Sequence, residues 1–322
     1  MRSCEPWSHR SSEEQTSSRS GTSRDHALEP ARSWSEWLLR EPTLWTPSLG
    51  PTVAPPDLRP LSSSVQISRA SSRRSGLGIT DLAPGDEVYY TPEVFGPLSN
   101  GSYAEYHVAK ADILAKKPAT ISHEEAAAVP LAGGTAYEAI VRRLALRVGE
   151  TILIHGGAGG VGSFAVQIAN AAGTRVLATA SSDNQDILKE LGAGVAIDYK
   201  SQDVREVALD DSGGEGVDAV LDTVGGGTIV NSIPATKLSG RLATILGAQD
   251  DLTPLYQKNQ TLYGVFLNRE RARLEEMSTL IERGQVRPLV AEVLPLEEVS
   301  KAHERLDSGH GRGKVVLRVA EE

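Results

Sequence analysis

The sequence predicts an α/β fold with a doubly wound, parallel Rossmann sheet, a partial second domain of β-strands and a disordered start. Three observations support this. A glycine-rich turn joins a short apolar run to an amphipathic segment within residues 151–172. Apolar runs and helical patterns then alternate as far as residue 267, which is typical of βαβ units in a parallel sheet. Residues 1–75 are instead rich in serine, arginine and proline.

Residues 1–75 are expected to be a disordered, low-complexity segment. The first 80 residues contain 18 Ser, 10 Arg and 8 Pro, no Lys, and all four Trp of the chain. Such a composition buries too little apolar surface to offset the entropy that a chain loses on folding. Two alternatives stay open. A cluster around Trp34 and Trp37 could be a docking motif, or residues 43–75 could supply surrogate strands, for which 65–67 is the only hint.

The glycine-rich turn follows the apolar run Thr151-Ile-Leu-Ile-His155 and precedes a helical pattern at 161–172. Gly157, Gly159 and Gly162 fit G-x-G-x-x-G, which provides a tight reversal, close approach to a pyrophosphate and close helix packing. The helix start offers free N–H groups and a partial positive charge to a diphosphate. The residues expected on that diphosphate are Gly157, Ala158, Gly159, Gly160, Val161 and Gly162. The alternative is a structural turn without a nucleotide.

The remaining elements follow from the same patterns. Strands are predicted at 174–180, 195–198, 217–222, 241–246, 262–267 and 314–319, and helices at 186–191, 270–283 and 296–306. Turn signals at Pro84-Gly-Asp and Asn100-Gly-Ser flank β-like runs at 87–90 and 103–108, which suit a small barrel.

The tip of the second strand of the predicted sheet bears on the choice of nicotinamide cofactor. An NAD-binding domain places a carboxylate there on the ribose 2′-OH. This strand ends Ala178-Thr-Ala-Ser-Ser182 instead, and Tyr199 follows the third strand. Ser181, Ser182 and Tyr199 leave room for a 2′-phosphate and offer it hydrogen bonds, although Asp183 stands where a basic partner is normal. NADP(H) is therefore favoured over NAD(H).

From about residue 76 to 319 the chain resembles the medium-chain dehydrogenase/reductase superfamily, in its zinc-independent quinone oxidoreductase branch. The matching segments are 82–89, 101–106, 124–137, the glycine turn, 191–199, 222–226 and 313–317. The resemblance implies a Rossmann NADP(H)-binding domain at 118–284 and a partial GroES-like substrate domain at 76–117 and 285–322. It also implies hydride transfer between NADPH and a quinone, an enone or a related carbonyl compound.

The resemblance also implies where the cofactor lies. Thr135 is expected near the nicotinamide, Ser181 and Tyr199 near the adenosine ribose, and Lys314 near the cofactor at the domain junction. The residues expected along the adenine and nicotinamide edges are Thr223, Val224, Leu246 and Gly247. Those expected beside the nicotinamide are Phe266, Leu267 and Asn268. No catalytic acid is assigned; Tyr89, Tyr90, Tyr103 and Tyr137 are candidates by type, with Tyr103 expected to pack in the barrel.

The sequence departs from the family before the Gly85-Asp-Glu-Val88 motif, where members carry a β-rich segment and this chain has residues 1–75. Without the opening strands, the rest of a barrel would expose unpaired edges. An active reductase is favoured. The alternative is an NADP(H)-binding protein that is catalytically inactive because its substrate domain is truncated.

Charge and cysteine content limit the classes of partner and metal site that are expected. The first 80 residues carry a net charge of +2 and the rest −11, which argues against nucleic acid or an anionic membrane surface. Cys4 is the only cysteine and the seven histidines are scattered, so no metal site is expected, and His155 is expected to pack or bond in the loop. A reducing, cytoplasmic location is expected, since acidic residues near the start do not suit a transit peptide. A homodimer paired through 261–267 follows from the resemblance.

Overall fold

The protein is described from a computed structural model. It describes residues 81–93, 101–248, 251–309 and 311–319, together with the backbone of Gln66–Ile67 and Ala70–Ser71. All of them belong to one compact unit, 61–322. The expectations for residues 1–65, including disorder and the tryptophan docking motif, lie outside the described residues.

The described strands fall into three sheets. They are β1 (Gln66–Ile67), β2 (Ala70–Ser71), β3 (Glu87–Tyr89), β4 (Ala115–Lys116), β5 (Thr151–His155), β6 (Arg175–Ala180), β7 (Val195–Asp198), β8 (Val217–Asp222), β9 (Thr236–Thr244), β10 (Thr261–Gly264), β11 (Val290–Pro295) and β12 (Lys314–Arg318). The central sheet has the order β10-β9-β8-β5-β6-β7, and all its pairings are parallel. The predicted doubly wound sheet is confirmed.

Helices cover this sheet. They are α1 (His123–Ala127), α2 (Ala132–Tyr137), α3 (Gly160–Ala171), α4 (Gln185–Glu190), α5 (Val204–Asp211), α6 (Thr228–Ser232), α7 (Thr253–Gln257), α8 (Arg271–Glu282) and α9 (Val299–Asp307). A π-helical turn, Glu138–Arg143, continues α2. None of the described helices is long and apolar enough to cross a membrane.

The core explains why these segments fold as they do. The β5 residues Ile152, Leu153 and Ile154 are buried on both faces, as expected for a central parallel strand. Phe164 and Ala165 of α3 are fully buried beneath them and belong to the same apolar cluster as Ile152. The strand order changes direction between β5 and β8. In such sheets ligands bind at the carboxyl ends of the strands, beside this switch point.

The other strands form two small sheets rather than one barrel among the described residues. Their orders are β1-β12-β11 and β2-β3-β4. The parallel β1 pairs with Val316 and Leu317 of β12, and β2 pairs antiparallel with β3. Both β1 and β2 lie within 43–75, the range considered for surrogate strands. The segment 103–108, predicted as β-like, is not a strand. Tyr106 is 68% exposed, so its ring is not buried against a core as on the inward face of a strand.

Candidate cofactor site

The glycine turn leads from β5 directly into α3. Gly156 takes a φ of +73°, so the tight reversal falls on Gly156 and not on Gly157. A Cβ on Gly162 would lie 2.0 Å from the carbonyl oxygen of Gly156, and one on Gly157 would lie 2.9 Å from Cβ of Ala178. Backbone cannot move aside as a flexible side chain can. The turn therefore depends on glycine at Gly156 and Gly162 for different reasons.

The start of α3 presents hydrogen-bond donors that the helix does not use. The first N–H groups of a helix have no partner within it, and the N-cap Gly159 has no side chain to accept them. At the same helix start the helix dipole adds a partial positive charge. This is the arrangement in which helix starts bind phosphate.

A buried lysine adds an amine at the same place. Lys314, the first residue of β12, is 5% exposed, and its Nζ lies 3.8 Å from the Cβ position of Gly160. The neighbouring Gly313 donates its N–H to the carbonyl oxygen of Ala158 at 2.9 Å, which fixes β12 against the turn. Burial alone lowers the pKa of Lys314 to about 7, since no charge among the described residues acts on it.

These features together fit the diphosphate of a dinucleotide. A buried cation without a counter-charge is costly, and an anion bound beside it relieves that cost. Glycine lets the turn pack closely on its surroundings, because a Cβ on Gly156 or Gly162 would meet protein atoms at 2.7 Å or 2.0 Å. Of the residues predicted on the diphosphate, the structure gathers all six in the turn and brings Lys314 to them from a distant part of the sequence.

The tip of β6 holds the residues predicted near the ribose. The Ser181 hydroxyl accepts a hydrogen bond from Asn184 at 3.1 Å, and Tyr199 is half exposed. Ser182 donates to the carboxylate of Asp198, the last residue of β7, at 2.6 Å. Hydrogen bonds from Ser182 and from the Lys200 backbone lower the pKa of Asp198. The sequence of β6 alone does not indicate this carboxylate, because the neighbouring strand β7 supplies it.

The residues predicted along the nucleotide edges lie together at the ends of β5, β8 and β9. The Thr223 hydroxyl donates to the carbonyl oxygen of His155 at 2.7 Å, which ties the β8 loop to the glycine turn. A Cβ on Gly225 would lie 2.9 Å from Cδ1 of Leu246, so the loops after β8 and β9 touch. Val224 and Leu246 are exposed there, and Gly247 follows in the same loop.

Thr135 lies on α2, against the loop that follows β10. Its side-chain hydroxyl donates to the Leu131 carbonyl oxygen at 2.7 Å within its own helix. The Cβ position of the preceding Gly134 is 3.4 Å from Cδ1 of Leu267, so α2 packs directly on the loop. Leu267 is buried, whereas Phe266 and Asn268 are exposed. The structure thus brings together the residues predicted around the nicotinamide.

A small cavity lies beside this loop. Its lining residues are Thr91, Ile113, Pro130, Leu267, Asn268, Arg269, Glu270, Arg273 and Leu274. Arg269 joins two of its walls, since it donates from Nε to the Pro92 carbonyl oxygen at 3.2 Å and from Nη1 to that of Leu267 at 2.9 Å. No local sequence pattern indicates this cavity, because Arg269 and Arg273 look like ordinary charged residues at the start of an amphipathic helix.

The tyrosines considered as proton donors have different surroundings. Tyr89 is buried and donates to the Leu274 carbonyl oxygen, and burial raises its pKa. Burial raises the pKa of Tyr90 to about 12, and its hydroxyl lies 2.9 Å from Nδ1 of His107. Tyr103 was expected in barrel packing but is 40% exposed, because it stands against His303 in an irregular segment. Burial also raises the pKa of Tyr137. None of the four lines the cavity.

His155 precedes the glycine turn and is a potential metal ligand by residue type. His155 is buried at the end of β5, its Nε2 lies 2.8 Å from the Ser232 hydroxyl, and burial lowers its pKa to about 4. It therefore acts as a neutral packing residue. In the part of the chain that the structure describes, no three His, Cys, Asp or Glu side chains form a group that could hold a metal ion.

Comparison with known proteins places this geometry in a family. The zinc-binding dehydrogenase family model matches residues 191–317. A quinone oxidoreductase of Pseudomonas aeruginosa is 34% identical over 256 residues, which cover 75% of this chain and 77% of that one. The 2-methylene-furan-3-one reductase of Solanum lycopersicum is also 34% identical, over 75% of this chain. The match spans only 60% of the tomato protein's length.

Solved structures support the same family assignment. A mycobacterial protein, Rv1454c, whose structure was solved as a complex with NADPH, aligns with a TM-score of 0.70 and 29% identity. The alignment covers 78% of this chain and 80% of that one. Sheet order, glycine turn and sequence identity therefore converge: the chain belongs to the medium-chain dehydrogenase/reductase superfamily, as a quinone oxidoreductase-like protein.

Proposed function

We propose that the protein is an NADPH-dependent oxidoreductase that reduces quinones, enones or related carbonyl compounds by hydride transfer, without zinc. One observation carries the proposal. Lys314 is buried, has no counter-charge among the described residues, and stands against a glycine turn at the start of a helix, where an anion is favoured. The relatives named quinone oxidoreductase and 2-methylene-furan-3-one reductase support the choice of substrates.

The cofactor is NADP(H) rather than NAD(H) in this proposal. Ser181, Ser182 and Tyr199 would hold the 2′-phosphate, and Lys200 follows Tyr199 in the chain. Lys200 supplies the cation that the β6 tip lacks, and a charge-assisted bond to phosphate is stronger than a neutral one. The carboxylate of Asp198 opposes this preference. The NADPH complex of the mycobacterial neighbour supports the same choice.

When bound, NADPH supplies a hydride and water supplies a proton, so that an enone becomes a saturated ketone and NADPH becomes NADP⁺. The chain's own residues bind and orient the cofactor. Lys314 and the α3 N–H groups bind the diphosphate. Leu267 and the packed face of α2 exclude water behind the nicotinamide position, and this strengthens electrostatic interactions there. The proposed reaction uses no zinc because the chain has few cysteine ligands for it: Cys4 is its only cysteine.

A second candidate function is supported by the small sheets. β1 and β2 are two residues long, so the substrate side is held by few backbone hydrogen bonds. The alternative is therefore a protein that binds NADP(H) and does not turn over a substrate.

The test measures binding and turnover on the same sample. NADPH fluorescence gives the Kd, and NADPH oxidation with 9,10-phenanthrenequinone gives the rate. Binding with turnover supports the reductase, and binding without turnover across quinones and enones supports the binding-only alternative. Absence of NADPH binding refutes both. Gly162→Ala is the control, because its Cβ would meet the Gly156 carbonyl oxygen and distort the turn.

Location and assembly complete the proposal. We propose a cytoplasmic homodimer that pairs through β10, the edge strand of the central sheet. Relatives named mitochondrial and chloroplastic make an organelle the alternative location. Fractionation of cells that express the full chain, and light scattering of the purified protein, test these two points.

A further inference from the structure

Arg269, in the loop between β10 and α8, joins two segments that lie far apart in the sequence. Its Nε donates to the carbonyl oxygen of Pro92 at 3.2 Å, and its Nη1 donates to that of Leu267 at 2.9 Å. Leu267 follows the carboxyl end of a strand in the parallel sheet, the edge at which such sheets bind ligands. Pro92 follows β3, in the segment 76–117 that the resemblance assigns to the substrate domain. One guanidinium therefore connects the predicted cofactor side to the predicted substrate side.

The same guanidinium orients the aromatic ring beside it. Its Cζ lies 5.8 Å from the centroid of the Phe266 ring, a range at which a guanidinium is attracted to the face of an aromatic ring. Phe266 is 65% exposed, so its ring gains little restraint from packing. Phe266, Leu267 and Asn268, the three residues predicted beside the nicotinamide, form the nicotinamide loop. Arg269 contacts the first two of them.

Arg273 holds the third residue of the nicotinamide loop. Its Nη1 donates to the Asn268 carbonyl oxygen at 2.7 Å. Its Nη2 lies 3.1 Å from Oε1 of Glu270 and 3.4 Å from Oε2 of Glu138. Glu138 begins the π-helical turn that continues α2. The two arginines therefore hold successive carbonyl oxygens of the loop, one toward the segment after β3 and the other toward α2.

The chemistry of arginine suits this bridge. A guanidinium is planar and its donors have fixed directions, whereas a lysine ammonium is a single point whose donors rotate freely. Hydrogen bonds from a charged donor are also stronger than those between neutral groups. A guanidinium that donates to two carbonyl oxygens therefore fixes the distance between the two backbone segments that carry them.

We propose that Arg269 is a positioning residue for hydride transfer, because its bridge sets the distance between the nicotinamide loop and the substrate side of the molecule at Pro92. This rests on the proposed function. Hydride transfer requires the two reacting carbon atoms in near contact, and a displacement of about 1 Å costs on the order of 10²-fold in rate. Arg269 transfers no proton and acts only through Phe266, Leu267 and Pro92.

The test separates the nicotinamide from the rest of the cofactor. NADPH and 2′-phospho-ADP-ribose share the 2′-phosphate, the adenosine and the diphosphate, and differ in the nicotinamide. In isothermal titration calorimetry, Arg269→Gln should raise the Kd of NADPH about tenfold, the effect of one charge-assisted hydrogen bond, and leave the Kd of 2′-phospho-ADP-ribose nearly unchanged. At saturating NADPH, kcat with 9,10-phenanthrenequinone should fall by about tenfold or more.

Two other variants distinguish the bridge from charge and from stability. Arg269→Lys keeps the charge but cannot hold both carbonyl oxygens in the same geometry, so it should match Arg269→Gln, and it replaces that variant if Arg269→Gln does not fold. Arg271→Gln is the matched control. Arg271 donates to the carbonyl oxygens of Ala111 at 2.7 Å and Leu114 at 2.5 Å, and within the described residues it has no hydrogen bond to the nicotinamide loop. Its loss should lower the melting temperature and leave the ratio of the two Kd values as in wild type.

The ratio of the two Kd values decides on Arg269. A wild-type ratio in Arg269→Gln would overturn the proposal, as would full recovery in Arg269→Lys or an equal change in Arg271→Gln. If wild type binds NADPH but oxidises none with any carbonyl compound, the proposed reductase fails, and the Kd ratio alone decides whether Arg269 holds the nicotinamide loop. A wild type that binds neither ligand would overturn both proposals.

Discussion

The buried Lys314 makes cofactor binding depend on pH in a direction that the structure fixes. In the free protein burial lowers its pKa from 10.5 to about 7, so above pH 7 the amine is largely neutral. A diphosphate beside it favours the charged form and raises the pKa again. Binding of NADPH above pH 7 therefore takes up a proton, and the affinity falls as pH rises.

The magnitude follows from the size of the shift. If the pKa in the complex returns close to 10.5, the Kd rises about tenfold per pH unit well above pH 7, and about 50-fold between pH 7 and pH 9. The 2′-phosphate does not contribute, because a phosphate monoester with a second pKa near 6 is already a dianion over this range. NADH, which shares the diphosphate, should show the same slope as NADPH.

Fluorescence titrations with NADPH and NADH at constant ionic strength between pH 7 and pH 9 measure the effect. Lys314→Met is the control variant, since it keeps the apolar stem and removes the amine. It should bind more weakly than wild type at pH 7 and show no pH slope in this range. A wild-type Kd that stays constant from pH 7 to pH 9 would refute the reasoning, as would an equal slope in Lys314→Met.

Three further predictions concern the turn, the ribose pocket and the sheet edge. Gly162→Ala should lower the unfolding free energy by about 1–3 kcal/mol and abolish NADPH binding, as urea melts and titration would measure. Gly264→Ala, whose Cβ meets no atom within 4 Å, should do neither. A stable Gly162→Ala variant that still binds NADPH would contradict the role given to the glycine turn. Asp198→Asn should raise the preference for NADPH over NADH roughly fivefold by removing about 1 kcal/mol of repulsion beside Ser182, and an unchanged ratio of the two Kd values counts against it. Leu262→Lys on the edge strand β10 should convert the proposed dimer to monomers in light scattering, and a persistent dimer would place the interface elsewhere.

The central strands of the sheet, β5 and β8, could be predicted closely because they are buried on both faces. The observed bounds of β7 and β8 are those expected from the sequence, 195–198 and 217–222. A fully buried strand is a continuous apolar run, so its local sequence is sufficient to locate it. β9 was predicted to start at 241 but starts at Thr236. Its pairing with β8 shifts register before Arg241, and Ser239 takes a φ of +59°, which no local pattern reveals.

The candidate site could likewise be predicted only where local sequence forms it. The glycine turn could be predicted because one continuous segment forms it. Asp198 and Ser182 meet only because β7 lies beside β6, and Thr91 and Arg273 line one cavity although 182 positions separate them in the sequence. Contacts of that kind depend on how elements pack, and the types of the two residues alone do not indicate them. Lys314 was found only through the family resemblance, and its burial is a property of the folded chain.

The position of β12 links the cofactor site to the small sheet. Its first residue is Lys314, and the rest of the strand pairs with β1 and β11. Anything that binds at the turn and holds Lys314 also protects that strand from local opening, because a ligand stabilises every segment that must stay ordered to bind it. Amide hydrogens of β11 and β12 should therefore exchange with deuterium more slowly once the nucleotide is bound. The glycine turn, β11 and β12 would then exchange as one cooperative unit.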